Sequence, residues 1–368
     1  MHMPTKKPGS RPARFVAVAL AVTAASLSLS VMGASASAKS AEPTLVVYSA
    51  QGYDSATVKA FNATHPGFNV TLNDNSTGPL LQQIQAEGNH PTWGVLWVDG
   101  AQAFAQLDHE GLLAKHIVPK VSFNTVGRAN IPADGSYVPT GLTATGALVY
   151  DSSQIKAAQL PKTWADLLKP QFKGMVGMND PTQSGPTYPL IAGVMNYLGH
   201  YRSGPTTAAV KAGEAYFTKL KANGLVINAT NGPTLSAIAA HTIKMAIIQS
   251  SAGYGAEVST SPTFRVAYLN PVTALPGVIG IDGKMPKVVQ AEAQKFVDYV
   301  LSPRGQHVMQ IGDPQGDSLF WPVLNGEKPA NKVIPPLTSI PMQTTNPAVW
   351  GPLESSVNTW FSATINNG

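Results

Sequence analysis

The 368-residue chain contains no cysteine. That excludes a disulfide scaffold, a thiolate-held zinc or iron–sulfur site, a thiol nucleophile and a lipid anchor attached through cysteine. Charged residues are scarce, at 12%, about half the usual quarter of a soluble chain. Hydrophobic residues make up 43%, so the composition is that of a core-forming chain and not of a solvated, disordered one. Several catalytic signatures are missing as well. No H-x-x-x-H or H-E-x-x-H spacing occurs, no G-x-S-x-G elbow and no G-x-x-x-x-G-K-[ST] loop. A zinc-protease helix, a hydrolase elbow and an ATPase phosphate loop are therefore not expected. Dispersed Ser, His and Asp leave a secreted hydrolase open as an alternative.

Residues 1–38 read as an export signal. Lys6, Lys7, Arg11 and Arg14 precede an apolar run from Phe15 to Met32, which closes on Ala34-Ser35-Ala36-Ser37-Ala38. A basic start, an apolar run and small residues at the cut define such a segment. The run is also long enough to span a bilayer marginally, so a retained anchor is the rival reading. Removing residues 1–38 takes four basic residues and no acid, leaving 21 basic against 20 acidic. The remaining 330 residues are near neutral, with no basic run to track a phosphate backbone, so nucleic acid is excluded as a partner.

Beyond the signal, strands alternate with helices. Strands are expected at Thr44–Tyr48, Asn69–Asn73 and Gly94–Val98, with helices at Ala56–Asn62, Leu80–Glu87 and Ala101–Glu110. Tyr137–Tyr150 is extended and rich in Gly and Thr. A second series places strands at Gly174–Met178, Leu225–Asn228, Lys244–Gln249, Phe264–Asn270 and Val278–Ile281. Helices are expected at Tyr188–Leu198, Thr206–Ala222 and Leu235–Ala240. In Lys287–Leu301 the residues Val288, Val289, Ala293, Phe296, Val297 and Val300 suit one buried helical face. Two such αβ units imply an α/β protein of two lobes, each a mixed, mainly parallel sheet flanked by helices, with a ligand cleft between them. The expected division is 1–38 signal, 39–140 first part of lobe 1, 141–270 lobe 2, and 271–368 a return to lobe 1 with C-terminal helices.

One tetrapeptide recurs: Thr77-Gly78-Pro79-Leu80, Ser184-Gly185-Pro186-Thr187, Ser203-Gly204-Pro205-Thr206 and Asn231-Gly232-Pro233-Thr234. Each precedes an expected helix, and three follow a strand. Proline suits a first helical position and a small polar residue suits the cap. The unpaired N–H groups of a helix start, with its dipole, favour an anion. Candidate contacts are therefore Ser76, Thr77, Gly78, Ser184, Gly185, Thr187, Asn231, Gly232 and Thr234. Ser49 and Gln51 follow the first strand, and Asp99 follows the third. If a bound solute carries an amine, Asp99 or Asp180 is placed to face it, with capping of the turn before Pro181 as the other reading of Asp180; Tyr53, Trp93, Trp97 and Tyr254 are the aromatics that could pack over it, Trp97, inside an apolar strand, being the one most expected in the core.

With these motifs the chain resembles bacterial extracellular solute-binding proteins of the type II periplasmic-binding fold. The resemblance rests on Leu45-Val-Val-Tyr-Ser49, Trp164-Ala-Asp-Leu-Leu-Lys-Pro-Gln-Phe-Lys-Gly174, Asp180-Pro-Thr-Gln-Ser-Gly185, Leu301-Ser-Pro-Arg-Gly-Gln306 and Trp321-Pro-Val323. More narrowly the chain is similar to the branch of ferric-ion and 2-aminoethylphosphonate binders. The resemblance implies no enzyme and no cofactor. It implies an exported monomer, periplasmic or at the cell envelope, that closes on a small anionic solute and hands it to a membrane ABC permease. A receptor role is the other use of the same fold. Ferric binders typically use a neighbouring tyrosine pair. The corresponding stretch here, Ser250-Ser-Ala-Gly-Tyr254-Gly-Ala, offers Tyr254 alone, with Asp99 as the second hard ligand, so the phosphonate-type solute fits better than iron.

Overall fold

A computed structural model describes residues 44–65, 67, 69–200 and 207–367. The export segment and the Ser203-Gly204-Pro205-Thr206 motif lie outside the described residues.

The first αβ series comprises β1 (Thr44–Ser49), α1 (Asp54–Asn62), β2 (Asn69–Asp74), α2 (Thr77–Glu87), β3 (Val95–Asp99) and α3 (Ala101–His109). A short helix, α4 (Thr125–Ala129), precedes the long strand β4 (Tyr137–Asp151). The second series is β5 (Val176–Asn179), α5 (Thr187–Leu198), α6 (Thr207–Ala222), β6 (Val226–Asn228), α7 (Asn231–Ala239), β7 (Met245–Ile248) and α8 (Ser250–Gly255). A second long strand, β8 (Phe264–Ile281), leads to α9 (Lys287–Val300) and α10 (Pro303–Gly312). The chain ends with β9 (Met342–Gln343), α11 (Pro347–Trp350) and α12 (Glu354–Phe361).

The nine strands of the described residues form one hydrogen-bonded sheet in the order β2-β1-β3-β8-β4-β7-β5-β6, with β9 on β8. β1, β2 and β3 are mutually parallel, as are β5, β6 and β7. The two triplets are joined by the antiparallel pair β4–β8. Since β3 is antiparallel to β8 and β7 antiparallel to β4, the triplets run towards each other. Their carboxyl ends, Asp99 and Ile248, meet at the centre. The two separate sheets expected from the sequence are thus one continuous sheet with two parallel wings.

Both faces of each wing are covered, which is why its strands are apolar throughout rather than alternating. In β3, Val95 and Trp97 enter one core while Leu96 and Val98 enter another. In β7, Met245 and Ile247 face one cluster and Ala246 and Ile248 the other. Trp97 and Tyr53 are buried in one core cluster and Trp93 in another.

Two local expectations are corrected. Phe264–Asn270 and Val278–Ile281 belong to a single strand. Pro271 lies where the β4–β8 register shifts between Thr145 and Ala147, and such an irregularity is where a strand tolerates proline. In α9, Ala293, Phe296, Val297 and Val300 are buried, yet Val288 is 58% exposed. At 3.6 residues per turn Val288 projects well off the stripe that those four define.

The last segment does not simply rejoin the first wing. Ile334 and Ile340 pack with the first-wing core, whereas Trp350, Val357 and Phe361 enter the second-wing core.

Candidate functional site

Strand ends build the centre of the molecule. Asp99 ends β3 and is 8% exposed. Its Oδ1 accepts from Gln51 Nε2 at 3.1 Å, and its Oδ2 accepts from Gln249 Nε2 at 2.9 Å. Gln51 follows β1 and Gln249 follows β7, so one carboxylate is held from both wings. Gln51 is itself fixed by Tyr53, whose hydroxyl donates to Gln51 Oε1 at 2.5 Å. Its backbone N–H reaches Ser49 Oγ at 3.2 Å.

A second carboxylate repeats the arrangement. Asp317 Oδ2 accepts from the Gly52 N–H at 2.9 Å, and its Oδ1 accepts from Ser251 Oγ at 3.3 Å. Gly52 again belongs to the first wing and Ser251 to the second. Burial pushes Asp99 up to about 7, and the charge of Asp317 adds to the rise. Burial pushes Asp317 up to about 6, with Asp313 adding to it and the Gly52 N–H opposing it. Desolvated carboxylates that repel one another favour the protonated form.

The tetrapeptide turns also converge. At α2 and α5 the two wings touch: a Cβ on Gly185 would lie 2.3 Å from Thr77 Oγ1, and one on Gly78 would lie 1.9 Å from the Thr182 carbonyl oxygen. Only glycine permits so close an approach. Within the second wing, Asn179 at the end of β5 ties two turns together. Its Nδ2 donates to Ser184 Oγ at 3.1 Å and to Asn231 Oδ1 at 2.7 Å, while its Oδ1 accepts from Thr234 Oγ1 at 2.6 Å.

These positions modify several expectations. In α2 and α7 the motif occupies the first helical turn, preceded by Ser76 and Thr230, and neither makes a side-chain cap bond. Pro79 and Pro233 therefore remove one of the unpaired N–H groups at each start. The single proton of Thr234 is committed to Asn179, so Thr234 holds a turn in place instead of facing a solute. Gly232 has open space around its Cα, on the outer side of its turn. Thr187 is buried at the first position of α5.

Asp180 is likewise spent locally. Its Oδ1 accepts from the Thr182 N–H and hydroxyl, both at 2.8 Å, and its Oδ2 accepts from Asn366 Nδ2 at 2.7 Å. Tyr254 is 2% exposed and its hydroxyl meets that of Tyr268. Burial, and then Tyr268, hold its proton far above the usual range. Its ring packs on Trp321 in the first-wing core.

Gln249, Ser251, Asn179 and Asp317 were not singled out from the sequence. The first three sit at or just beyond strand ends, where a search of every strand terminus finds them. Asp317 lies in an irregular stretch and carries no sequence signal. Among the described residues, no group of three or more His, Asp or Glu side chains is placed to hold a metal ion.

Comparison with known proteins fits this architecture. A family model described as bacterial extracellular solute-binding protein matches residues 56–315. The chain belongs to that family. It is 25% identical over 281 residues, 76% of this chain and 79% of the relative, to an "Fe(3+)-binding periplasmic protein" of Serratia marcescens. The structure of iron-bound HitA from Pseudomonas aeruginosa superposes with a TM-score of 0.70 at 22% identity, over 86% of this chain and 98% of that one. AfuA from Actinobacillus pleuropneumoniae, solved with fructose-6-phosphate bound, gives 0.72 at 19% identity, over 88% and 99%. These are binding proteins, and the structural likenesses establish the fold. Among the described residues no helix is long and apolar enough to cross a membrane.

Proposed function

We propose that this protein is the extracellular solute-binding component of an ABC importer, exported as a monomer, and that its wings close on a small solute delivered to a membrane permease. The solute class we favour is 2-aminoethylphosphonate or another organophosphonate or phosphate ester that also carries a positive charge. One observation carries the reading. Helix starts from opposite wings, at Thr77–Gly78 and Ser184–Gly185, come into contact beside Asp99. Hydroxyl and N–H donors of that kind suit an oxyacid group. The Asp99 and Asp317 carboxylates disfavour an anion without a compensating cation, so the expectation of a plain anion narrows to a zwitterion. The bend that opens and closes the wings falls in β4 and β8, and closure draws its energy from contacts made only when the wings meet.

Nothing in this scheme consumes the solute, in keeping with binding rather than catalysis. Native mass spectrometry of the purified protein weighs what co-purifies, and a melting-temperature panel of phosphonates and phosphate esters ranks them. Co-purification of a solute lacking any oxyacid group, or stabilisation by none of the panel, removes the phosphonate assignment. Turnover of a stabilising compound removes the binding-only reading.

The iron reading draws on the meeting of the Tyr254 and Tyr268 hydroxyls, a phenol pair not visible in the sequence. It is weaker because both Asp99 oxygens are already engaged by Gln51 and Gln249.

A further inference from the structure

Charge is divided unevenly between the wings. Residues 141–270, which carry β5, β6 and β7, hold ten basic and five acidic residues, whereas the rest of 39–368 holds eleven and fifteen. The near-neutral total is thus made of two parts of opposite sign.

Lysines of the second wing gather at one end of it. β5, β6 and β7 are parallel, so their amino ends form one pole of the wing. Lys244 immediately precedes β7, and its N–H donates to the Met175 carbonyl at 2.9 Å, just before β5. The Gly174 N–H donates to the Asn223 carbonyl at 2.9 Å, which brings Lys173 beside the end of α6 and its Lys219. On the other side the Asp151 N–H reaches the Lys244 carbonyl at 3.4 Å. There β4 ends, and Lys156 follows, its Nζ donating to the Ser152 carbonyl at 3.1 Å. Lys156, Lys173 and Lys219 are exposed and Lys244 is half-buried. None of the four forms an ion pair with a described residue. The acids at this pole are already engaged. Asp166 pairs with Lys169 at 2.6 Å and Glu257 with Arg265 at 3.7 Å, while Asp151 is buried and lies 3.7 Å from His241 Nε2. The dipole of α6 favours a lysine in its last turn, which accounts for Lys219. It does not account for Lys156, Lys173 or Lys244, which lie outside the α-helices.

We propose that this pole of the second wing is a docking face for an anionic lipid surface. The residue type favours lipid over a protein partner. A protein interface is anchored by aromatic and arginine side chains and is poor in lysine. The arginine here, Arg265, is spent on Glu257 and on the Pro262 and Phe264 carbonyls. Lysine is a mobile, strongly hydrated point charge, suited to a diffuse layer of headgroups. Clusters of four or more basic residues close to a bilayer are held by anionic lipid, and the acidic remainder of the molecule turns this pole towards the surface. Gln249 follows the opposite, carboxyl end of β7, so a chain held by its pole keeps its centre clear of the lipid. The proposal does not depend on which solute is carried.

Residues from 44 onward form a compact unit of their own, so the test uses the chain from residue 39 on, free of the basic export segment. Vesicle flotation compares phosphatidylcholine alone with an equal mixture of phosphatidylcholine and phosphatidylglycerol. Adsorption is expected on the mixture at about 0.05 M salt and not at about 1 M, where screening is short-ranged. Each lysine at such a surface is worth about fivefold in partitioning. Joint replacement of Lys156, Lys173, Lys219 and Lys244 by Gln is therefore expected to weaken adsorption at least about 100-fold. A matched variant with Lys59, Lys120, Lys328 and Lys332, all exposed and outside the second wing, changed to Gln is expected to adsorb like the parent. Should half-buried Lys244 prove necessary for folding, as read from the melting temperature, the triple variant that keeps it is expected to lose at least about 50-fold. Equal adsorption on phosphatidylcholine alone, adsorption that survives about 1 M salt, or an equal loss in the matched variant overturns the proposal. Absence of adsorption by the unaltered chain overturns it too.

Discussion

Replacing Asp99 by Asn tests the electrostatic argument directly. In the structure the carboxylate is buried, and it pays for desolvation with only two amide hydrogen bonds, from Gln51 and Gln249. An acid whose folded value lies above its unfolded value binds its proton more tightly in the folded state. Folding stability then rises as pH falls through the folded value and levels off below the unfolded one. For Asp99 that window runs from about 7 down to 3.8. Each pH unit of such a rise is worth about 1.36 kcal/mol against the charged form. Part of it belongs jointly to Asp317, so an effect of about 1–3 kcal/mol is the working figure. Asparagine keeps the shape and removes the charge. Gln249 can turn its amide to accept from the new NH2 group at the cost of its 3.4 Å contact with the Thr143 hydroxyl, whose proton goes to the Leu275 carbonyl. Urea denaturation of the solute-free protein at pH 8 and pH 5 is the assay. Asp99→Asn is expected to be more stable than the parent at pH 8, with the gap shrinking at pH 5, while solute affinity falls. A variant that is less stable at pH 8, or a gap that does not change with pH, would refute the claim that Asp99 is held charged against its own preference.

Gly185→Ala places a methyl 2.3 Å from Thr77 Oγ1. It is expected to weaken solute binding at least about tenfold by holding the wings apart, while the melting temperature of the solute-free protein changes little; an unaltered Kd counts against closure at this contact. Thr234→Val leaves Asn179 Oδ1 without its 2.6 Å partner and should cost about 1–3 kcal/mol in denaturant unfolding. Stability within about 0.5 kcal/mol of the parent would dismiss the Asn179 network as the tie between the two turns. Thr187→Val should lower solute affinity by a similar margin with little change in stability if its hydroxyl faces the solute, and unchanged affinity removes it from the site. Ferric titration should give no tyrosinate charge-transfer band. A band that disappears in Tyr254→Phe would move iron ahead of the phosphonates.

How far the sequence carries depends on whether a feature is local. Strands and helices with a fully apolar or periodic pattern, such as Val95–Val98 and Ala293–Val300, declare themselves because each apolar residue meets a core. The tetrapeptide turns are equally legible, because glycine and proline punctuate the chain. What the sequence does not hold is the pairing of distant strand ends. Asp99 and Gln249 lie 150 residues apart and meet only because the two wings point at each other. Asp180, in contrast, looks like a site acid in one dimension but closes its own turn in three. Tyr254 stands alone in its loop, and its partner Tyr268 is visible only once β8 is seen to pass beneath it.

The sheet narrows at its middle. β3 pairs with β8 only at Gly277–Ile281 and β7 pairs with β4 only at Ala147–Tyr150. Between them, Leu142–Thr145 and Thr273–Pro276 form a neck whose continuous ladder is two strands wide, flanked by β9 at Val272 and Thr273 and by a single bridge from Trp321 to Leu142. A ribbon of that width twists more freely than a broad sheet, and a register irregularity lies at each end of it, between Pro139 and Gly141 and between Thr145 and Ala147. In the closure proposed above, torsion of this waist would turn the wings while its own ladder stays intact, and side chains at the mouth, where a single methyl group or charge has the most leverage, would set the angle at rest.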